Sequence, residues 1–266
     1  MKASSPIDSV SRNLLAEAAL KALHLIDLTS LNDDDTEARI DALAASADTP
    51  VGTPAALCVY PRFVAAARAA LAARGLALPI ATVTNFPSGD LPPDAAARET
   101  ADAAALGADE IDVVFPYRAL LAGDAQIGRE LVAQCRAAAA GKCLKVIVES
   151  GELREPALIR QASEIAIEAG ADFIKTSTGK VPVNATLDAA AIMLGTIRES
   201  GRAVGFKAAG GVRTADEAAA YLTLAEQVFG PGWATPATFR FGASSLLANL
   251  LAVLGHAPGA VRPSSY

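Results

Sequence analysis

The stretch LKVIVESGELREPALIRQASEIAIEAGADFIKTSTGK, residues 144–180, sets two short β-rich runs on either side of one helical pattern. LKVIVES (144–150) and FIKTS (173–177) read as strands. Between them, EPALIRQASEIAIEAG (155–170) repeats its apolar residues at i, i+3, i+4 and i+7 and closes on Gly170, the residue type that most easily takes a left-handed C-cap. Strand, helix and strand in that order predict two parallel strands joined by a crossover helix.

The same alternation extends in both directions. Further β-rich runs are HLIDLT (24–29), ALCVY (56–60), IATVTNF (80–86), EIDVVF (110–115), AVGFKAAG (203–210) and FRFGAS (239–244), with alanine-rich helical patterns between them. Gly107 and Gly201 close two of those patterns in the way that Gly170 does. Eight strands alternating with helices predict an α/β fold, a TIM (β/α)8 barrel. An open doubly wound sheet is the alternative, but no GxGxxG turn follows the first strand. Residues 1–22 then form an additional N-terminal helix, and residues 257–266 a flexible C-terminal tail.

The chain has 266 residues, a length that fits one barrel domain over residues 1–266. Hydrophobic residues make up 52%, enough for a sizeable core, and charged residues 20%. A net charge of −6 argues against general binding to nucleic acid or to an anionic membrane, since both need a cationic face. Cys58, Cys135 and Cys143, with His24 and His256, form no CxxC or HxxxH spacing, so neither a disulfide framework nor a metal site is expected. With no signal-type leader and no apolar run of membrane length, the expected location is the cytoplasm.

Along a barrel strand side chains alternate between the interior and the helix layer, so a charge flanked by apolar neighbours is expected to point inward. Asp27, Asp112, Lys145, Lys175 and Lys207 all have that setting. Paired charges in a structural core are the plainer reading. Two or three lysines against few carboxylates would make a poor structural solution, because an ill-paired buried charge costs several kcal/mol, roughly. They make a good chemical one. A desolvated lysine beside a second cation is pushed toward the free amine, which can attack a carbonyl, while a nearby carboxylate such as Asp112 relays protons. Spacing alone leaves Lys175 and Lys207 as equal candidates for the nucleophile.

Three glycine-rich turns follow the late strands: STGK (177–180), AGGVRT (209–214) and FGASS (241–245). Singly each is an ordinary strand-to-helix connection. Together, at the ends of strands 6, 7 and 8, they predict a phosphate site built from backbone N–H groups and a helix N-terminus, with Ser244 and Ser245 at the cap.

DLTSLNDDDT, CVYPRF, ATVTNFPSG, EIDVVFPYRAL, DFIKTSTGK, VGFKAAGGVRT and RFGASSLL, in this order from about Leu23 to Leu254, closely resemble the deoxyribose-phosphate aldolases, which are class I aldolases with a TIM barrel. The resemblance implies reversible cleavage of 2-deoxy-D-ribose 5-phosphate to D-glyceraldehyde 3-phosphate and acetaldehyde, in deoxyribonucleoside catabolism, with no cofactor and no metal. It makes Lys175 the Schiff-base lysine, Lys207 the lysine that perturbs it and relays protons, and Asp112 the relay carboxylate. It places Gly179, Lys180, Gly210, Gly211, Arg213, Gly242, Ser244 and Ser245 on the phosphate. Asp27, Thr29, Asn32, Lys145 and Thr178 are further candidates for the surroundings of the substrate. Tyr266 matches the family's C-terminal tyrosine, which acts in enamine formation, and a homodimer is a family expectation. One departure is Ala208, where the family motif carries proline; it frees a backbone dihedral and restores an N–H. Tuning rather than loss of activity is expected.

Another Schiff-base aldolase and a non-catalytic sugar-phosphate-binding protein are the competing readings. Retention of Lys175, Lys207 and Asp112 speaks against the second. Cys58 and the two histidines read as structural, and Asn32 or Thr29 could equally cap the following helix.

Overall fold

A computed structural model of the chain describes residues 6–257. Eight parallel strands close on themselves in the order β1-β2-β3-β4-β5-β6-β7-β8. They are β1 (Ile26–Ser30), β2 (Ala56–Val59), β3 (Ile80–Thr84), β4 (Glu110–Val114), β5 (Cys143–Ile147), β6 (Phe173–Lys175), β7 (Gly205–Ala209) and β8 (Phe239–Ala243). The helices are α1 (Pro6–Leu23), α2 (Glu37–Ser46), α3 (Val64–Ala72), α4 (Pro93–Ala105), α5 (Tyr117–Leu121), α6 (Ala125–Ala138), α7 (Ser150–Leu153), α8 (Pro156–Glu168), α9 (Leu187–Ser200), α10 (Ala215–Phe229) and α11 (Leu246–Val253).

Local chemistry accounts for where these elements begin and end. Thr36, Thr186 and Thr214 cap α2, α9 and α10 by accepting backbone N–H groups in the first turn, and Thr214 shares a capping box with Glu217. Gly201 ends α9 at φ 64°, where a Cβ would be strained. Asn32 is not a cap; α2 starts five residues later, behind Thr36. Ser245 precedes α11 without a side-chain capping bond, so its hydroxyl remains available.

Two short helices, α5 and α7, are absent from the sequence reading, because a single turn offers no periodicity to detect. β6 is shorter than the FIKTS run, since Thr176 and the residues after it leave the sheet to form a loop at the barrel mouth.

Ile26, Leu28, Leu57, Val59, Ile80, Ile111 and Val113 pack with helix alanines such as Ala67, Ala96, Ala162 and Ala218 in one continuous core. Small helix residues let the helix ring sit close to the strands, where burial stabilises by about 25 cal/mol per Å2 of apolar surface. Cys58, Ala81 and Val83 alternate with the core residues of β2 and β3 and form a separate buried cluster with Leu31. The Cys58 thiol is raised above its ordinary pKa by burial, which marks it as a structural thiol. His24 Nδ1 lies 3.0 Å from the Thr53 carbonyl oxygen.

α1 lies against α10 and α11, tied by Lys21 to Glu226 at 2.7 Å. Among the described residues no helix is long and apolar enough to cross a membrane. Apart from Ala257, the expected tail and its Tyr266 lie outside the described residues.

Candidate active site

Strand register brings the inward charges to neighbouring levels of the barrel. Lys175 on β6 is the register partner of Lys207 on β7, Lys207 of Arg240 on β8, and Asp112 on β4 of Lys145 on β5. The ion cluster they form is larger than the sequence reading allowed. Asp112 takes Lys145 on Oδ1 at 2.8 Å and both Lys175 and Lys207 on Oδ2 at 2.8 Å. Asp27 receives Lys207 and, at 2.5 Å, Arg240. Glu110 receives Lys145 at 2.6 Å and Arg240 at 2.9 Å.

The expectation of few carboxylates is therefore corrected. Four cations (Lys145, Lys175, Lys207, Arg240) face three carboxylates (Asp27, Glu110, Asp112). With every group ionised the cluster carries one positive charge too many. Removing a proton from one lysine balances it, and a balanced cluster is the affordable one in a low dielectric.

Burial and neighbours shift the three lysines in different directions. Lys175 is lowered from its ordinary pKa by burial, helped by the charge of Lys207 and opposed by Asp112. Lys207 moves the other way: burial opposes its charge, but Asp112 and Asp27 outweigh it and hold it well above the usual lysine range. Lys145 is likewise raised by Asp112, Asp27 and Glu110 against the cost of burial. Asp27 and Asp112 are both held low, against burial, by the surrounding cations.

Lys175 is also the lysine of the cluster within reach of ligand. It is 3% exposed, Lys145 and Lys207 are 0% exposed, and it lines a cleft of about 420 Å3 at the C-terminal mouth of the barrel. Thr29, Asn32, Thr178, Gly179, Lys180, Gly210, Gly211, Arg213, Gly242, Ser244 and Ser245 line the same cleft, as sequence reasoning grouped them. Asp27 and Lys145 do not; both are wholly buried in the ion cluster beneath it. As substrate contacts these two are corrected to members of the cluster that supports Lys175.

The rim of the cleft is suited to an anion. Gly179, Gly210 and Gly211 have φ of 82°, 77° and 92°, conformations that residues with a Cβ rarely adopt and that let the backbone line the cleft closely; the Gly210 N–H donates to the Gly242 carbonyl at 3.4 Å. The N-terminus of α11 adds its first free N–H groups behind Ser244 and Ser245. Lys180 reaches across the mouth to the Leu31 carbonyl at 2.6 Å. Gly242 has a second task, because a Cβ there would stand 3.0 Å from Lys207 Cε; its absence leaves room for that side chain.

Arg240, Glu110, Ser30, Leu31, Asn184 and Glu149 escaped the sequence reading. Arg240 carried a readable signal, since it lies between Phe239 and Phe241 as Lys207 follows Phe206, and the alternation argument applies to it equally. Glu110 opens β4, within the EIDVVF run, with an apolar neighbour on one side only. Ser30 and Asn32 join Asp35 in a hydrogen-bonded loop, at 2.8 to 3.2 Å, that only tertiary structure reveals.

A family model described as DeoC/LacD family aldolase matches residues 21–252. Among solved structures, a Toxoplasma gondii ME49 protein provisionally named a deoxyribose-phosphate aldolase is 25% identical, with a TM-score of 0.83 over 92% of this chain and 96% of that one. An aldolase called QR15 is 26% identical, with a TM-score of 0.73 over 88% and 96%. The deoxyribose phosphate aldolase of Aeropyrum pernix, at 21% identity and a TM-score of 0.68 over 93% and 97%, shares the fold.

Proposed function

The chain belongs to the DeoC/LacD family of aldolases, and from that premise we propose that it is a class I deoxyribose-phosphate aldolase, cleaving 2-deoxy-D-ribose 5-phosphate to D-glyceraldehyde 3-phosphate and acetaldehyde. The observation that carries this reading is Lys175: a lysine whose amine is favoured by burial and by Lys207, in a cleft whose glycine-rich, basic rim supports an anionic substrate.

In the proposed cycle the neutral Lys175 amine attacks the C1 aldehyde of the open-chain sugar phosphate. The carbinolamine takes a proton on its hydroxyl and loses water to give an iminium ion. A base removes the C3 hydroxyl proton, the C3 oxygen becomes a carbonyl, and the C2–C3 bonding pair moves toward the iminium nitrogen. Glyceraldehyde 3-phosphate leaves and an enamine remains. Protonation at C2 and hydrolysis then release acetaldehyde and return the amine.

Asp112 fits the proton-relay role because one of its oxygens touches both Lys175 and Lys207. Lys207, its pKa raised by Asp112 and Asp27 against burial, disfavours a second positive charge on Lys175 and so favours the free amine. A basic rim with a helix N-terminus supports a phosphorylated substrate, and the ion cluster beneath holds Lys175 in place.

Borohydride reduction in the presence of acetaldehyde, followed by peptide mass mapping, tests the reading. A reduced two-carbon adduct on Lys175 is expected. An active enzyme with no adduct there would sink the assignment, and cleavage of some other sugar phosphate in preference to deoxyribose 5-phosphate would overturn the substrate.

A further inference from the structure

Glu149 follows β5 and is completely buried, yet none of the cations of the barrel cluster pairs with it. Its backbone is left-handed, φ 57°, a conformation that costs a non-glycine residue of order 1 kcal/mol or more and persists only where the surroundings hold it. The backbone on either side is pinned to β6 and its continuation: the Val148 N–H donates to the Lys175 carbonyl and the Ser150 N–H to the Thr176 carbonyl, both at 2.9 Å. A buried carboxylate in such a place needs a partner. Its partner among the described residues is Thr178, whose backbone N–H donates to the two carboxylate oxygens at 3.2 and 3.3 Å.

Thr178 begins a chain of contacts that ends on the phosphate rim. Its Oγ1 accepts the Lys180 N–H at 3.0 Å, and the Lys180 ammonium group donates to the Leu31 carbonyl at 2.6 Å, joining the loop after β6 to the loop after β1. Gly179, between them, has a positive φ and lines the cleft. We propose that Glu149 is a positioning residue for the phosphate end of the cleft: by accepting the Thr178 N–H, its carboxylate holds the 176–180 loop where Gly179 and Lys180 can meet a phosphoryl group.

The groups around Glu149 agree with that role. Burial raises its pKa, hydrogen bonds from the Thr178 side chain and backbone and the charge of Lys175 pull it down, and Glu152 on α7 pushes it up again. Tyr117 on α5 also feels its charge. Thr178 is therefore the neutral contact that fixes its direction, and Lys175 the nearest influence from the reacting end.

The inference rests on the aldolase reading of the cleft, and the experiment separates the two. Inorganic phosphate binding is measured by calorimetry, the KM for deoxyribose 5-phosphate by cleavage, and Lys175 reactivity by borohydride trapping with acetaldehyde, which needs no phosphate. In Glu149→Ala, phosphate Kd and KM should both rise about tenfold or more, the effect of one lost charge-assisted hydrogen bond, while trapping stays within about twofold. Glu149→Gln keeps an acceptor oxygen and should return phosphate binding to within about threefold of the parent. Glu149→Asp withdraws the carboxylate by one methylene and should behave like the alanine variant, which keeps the comparison readable if the alanine protein does not fold.

Unchanged phosphate affinity in Glu149→Ala would overturn the proposal. So would a Gln variant as weak as the alanine one, since charge near Lys175 would then be the operative property. If the parent enzyme itself fails to trap acetaldehyde, the functional reading falls, and the calorimetric contrast among variants still decides the role of Glu149.

Discussion

Lys175 and Lys207 are register partners on adjacent strands, and both ammonium nitrogens lie 2.8 Å from one oxygen, Oδ2 of Asp112. One carboxylate oxygen cannot fully compensate two cations in a low dielectric, so the two lysines are pushed apart in how readily each holds its proton. Lys207 has a second carboxylate, Asp27, and keeps its proton. Among the described residues Lys175 has no second carboxylate in its ion pairing, and its pKa is lowered.

Replacing Lys207 by leucine therefore changes the protonation of Lys175. The remaining cations, Lys145, Arg240 and Lys175, then equal the three carboxylates, and the cluster balances only with Lys175 charged. The midpoint of the pH profile for borohydride trapping should move up by about one unit or more, with trapping at neutral pH reduced about tenfold. An unmoved midpoint would mean that Lys207 does not set the amine's pKa.

Arg240 closes the base of the cluster, donating to Asp27 and Glu110 and, through Nε, to the Pro236 carbonyl at 2.5 Å. Methionine at this position would fill the volume but leave two buried carboxylates short of a partner. A loss of about 3 to 5 kcal/mol in unfolding free energy is expected. Lysine should not restore it, because a single ammonium cannot reproduce the fork of donors. Chemical denaturation measures both variants, and a loss below about 1 kcal/mol for methionine would show the cluster to be slack.

The barrel was legible because hydrophobic periodicity repeats from strand to strand, and the cleft because its glycine turns recur at corresponding places. What escaped was charge balance. Asp112, Lys175 and Lys207 announced themselves as polar residues between apolar neighbours, but nothing local says that Lys145 meets Glu110 or that Arg240 reaches Asp27 from 213 positions away. Those pairings are set by barrel closure, which brings β8 beside β1. Asp27 and Lys145 were accordingly placed against the substrate, when closure puts them beneath it.

Lys180 tests the proposed phosphate site. Its contact with the Leu31 carbonyl holds the ammonium group at the mouth, and methionine would keep the stem while removing the charge. The KM for deoxyribose 5-phosphate should rise about tenfold or more, while the KM for unphosphorylated deoxyribose changes little. An equal rise for both sugars would show that the residue shapes the loop without meeting phosphate.

The cluster also predicts how stability depends on pH. Asp27 and Asp112 have folded-state pKa values held low by Lys207, Lys145, Lys175 and Arg240, whereas in the unfolded chain they return to about 3.9. Above that value both states have lost these protons and the stabilisation is complete. Below it the unfolded chain binds protons that the native state refuses, so stability drains away as the pH falls toward the native values. Lys145 and Lys207 are raised, so their contribution is complete below the unfolded lysine value of about 10.4 and is lost only as the pH climbs through the native ones. Glu149 runs against the aspartates: its raised pKa gives stability that is lost as the pH rises out of the acid range, and Glu149→Gln should remove that slope. Unfolding free energies from urea titrations between pH 2.5 and 9 should then show a broad plateau above about pH 5 and a steep acid limb below about pH 4. A flat profile down to about pH 2.5 would mean that the two aspartates titrate in the native barrel as they do in the unfolded chain, and the charge accounting that makes Lys175 the free amine would fail with it.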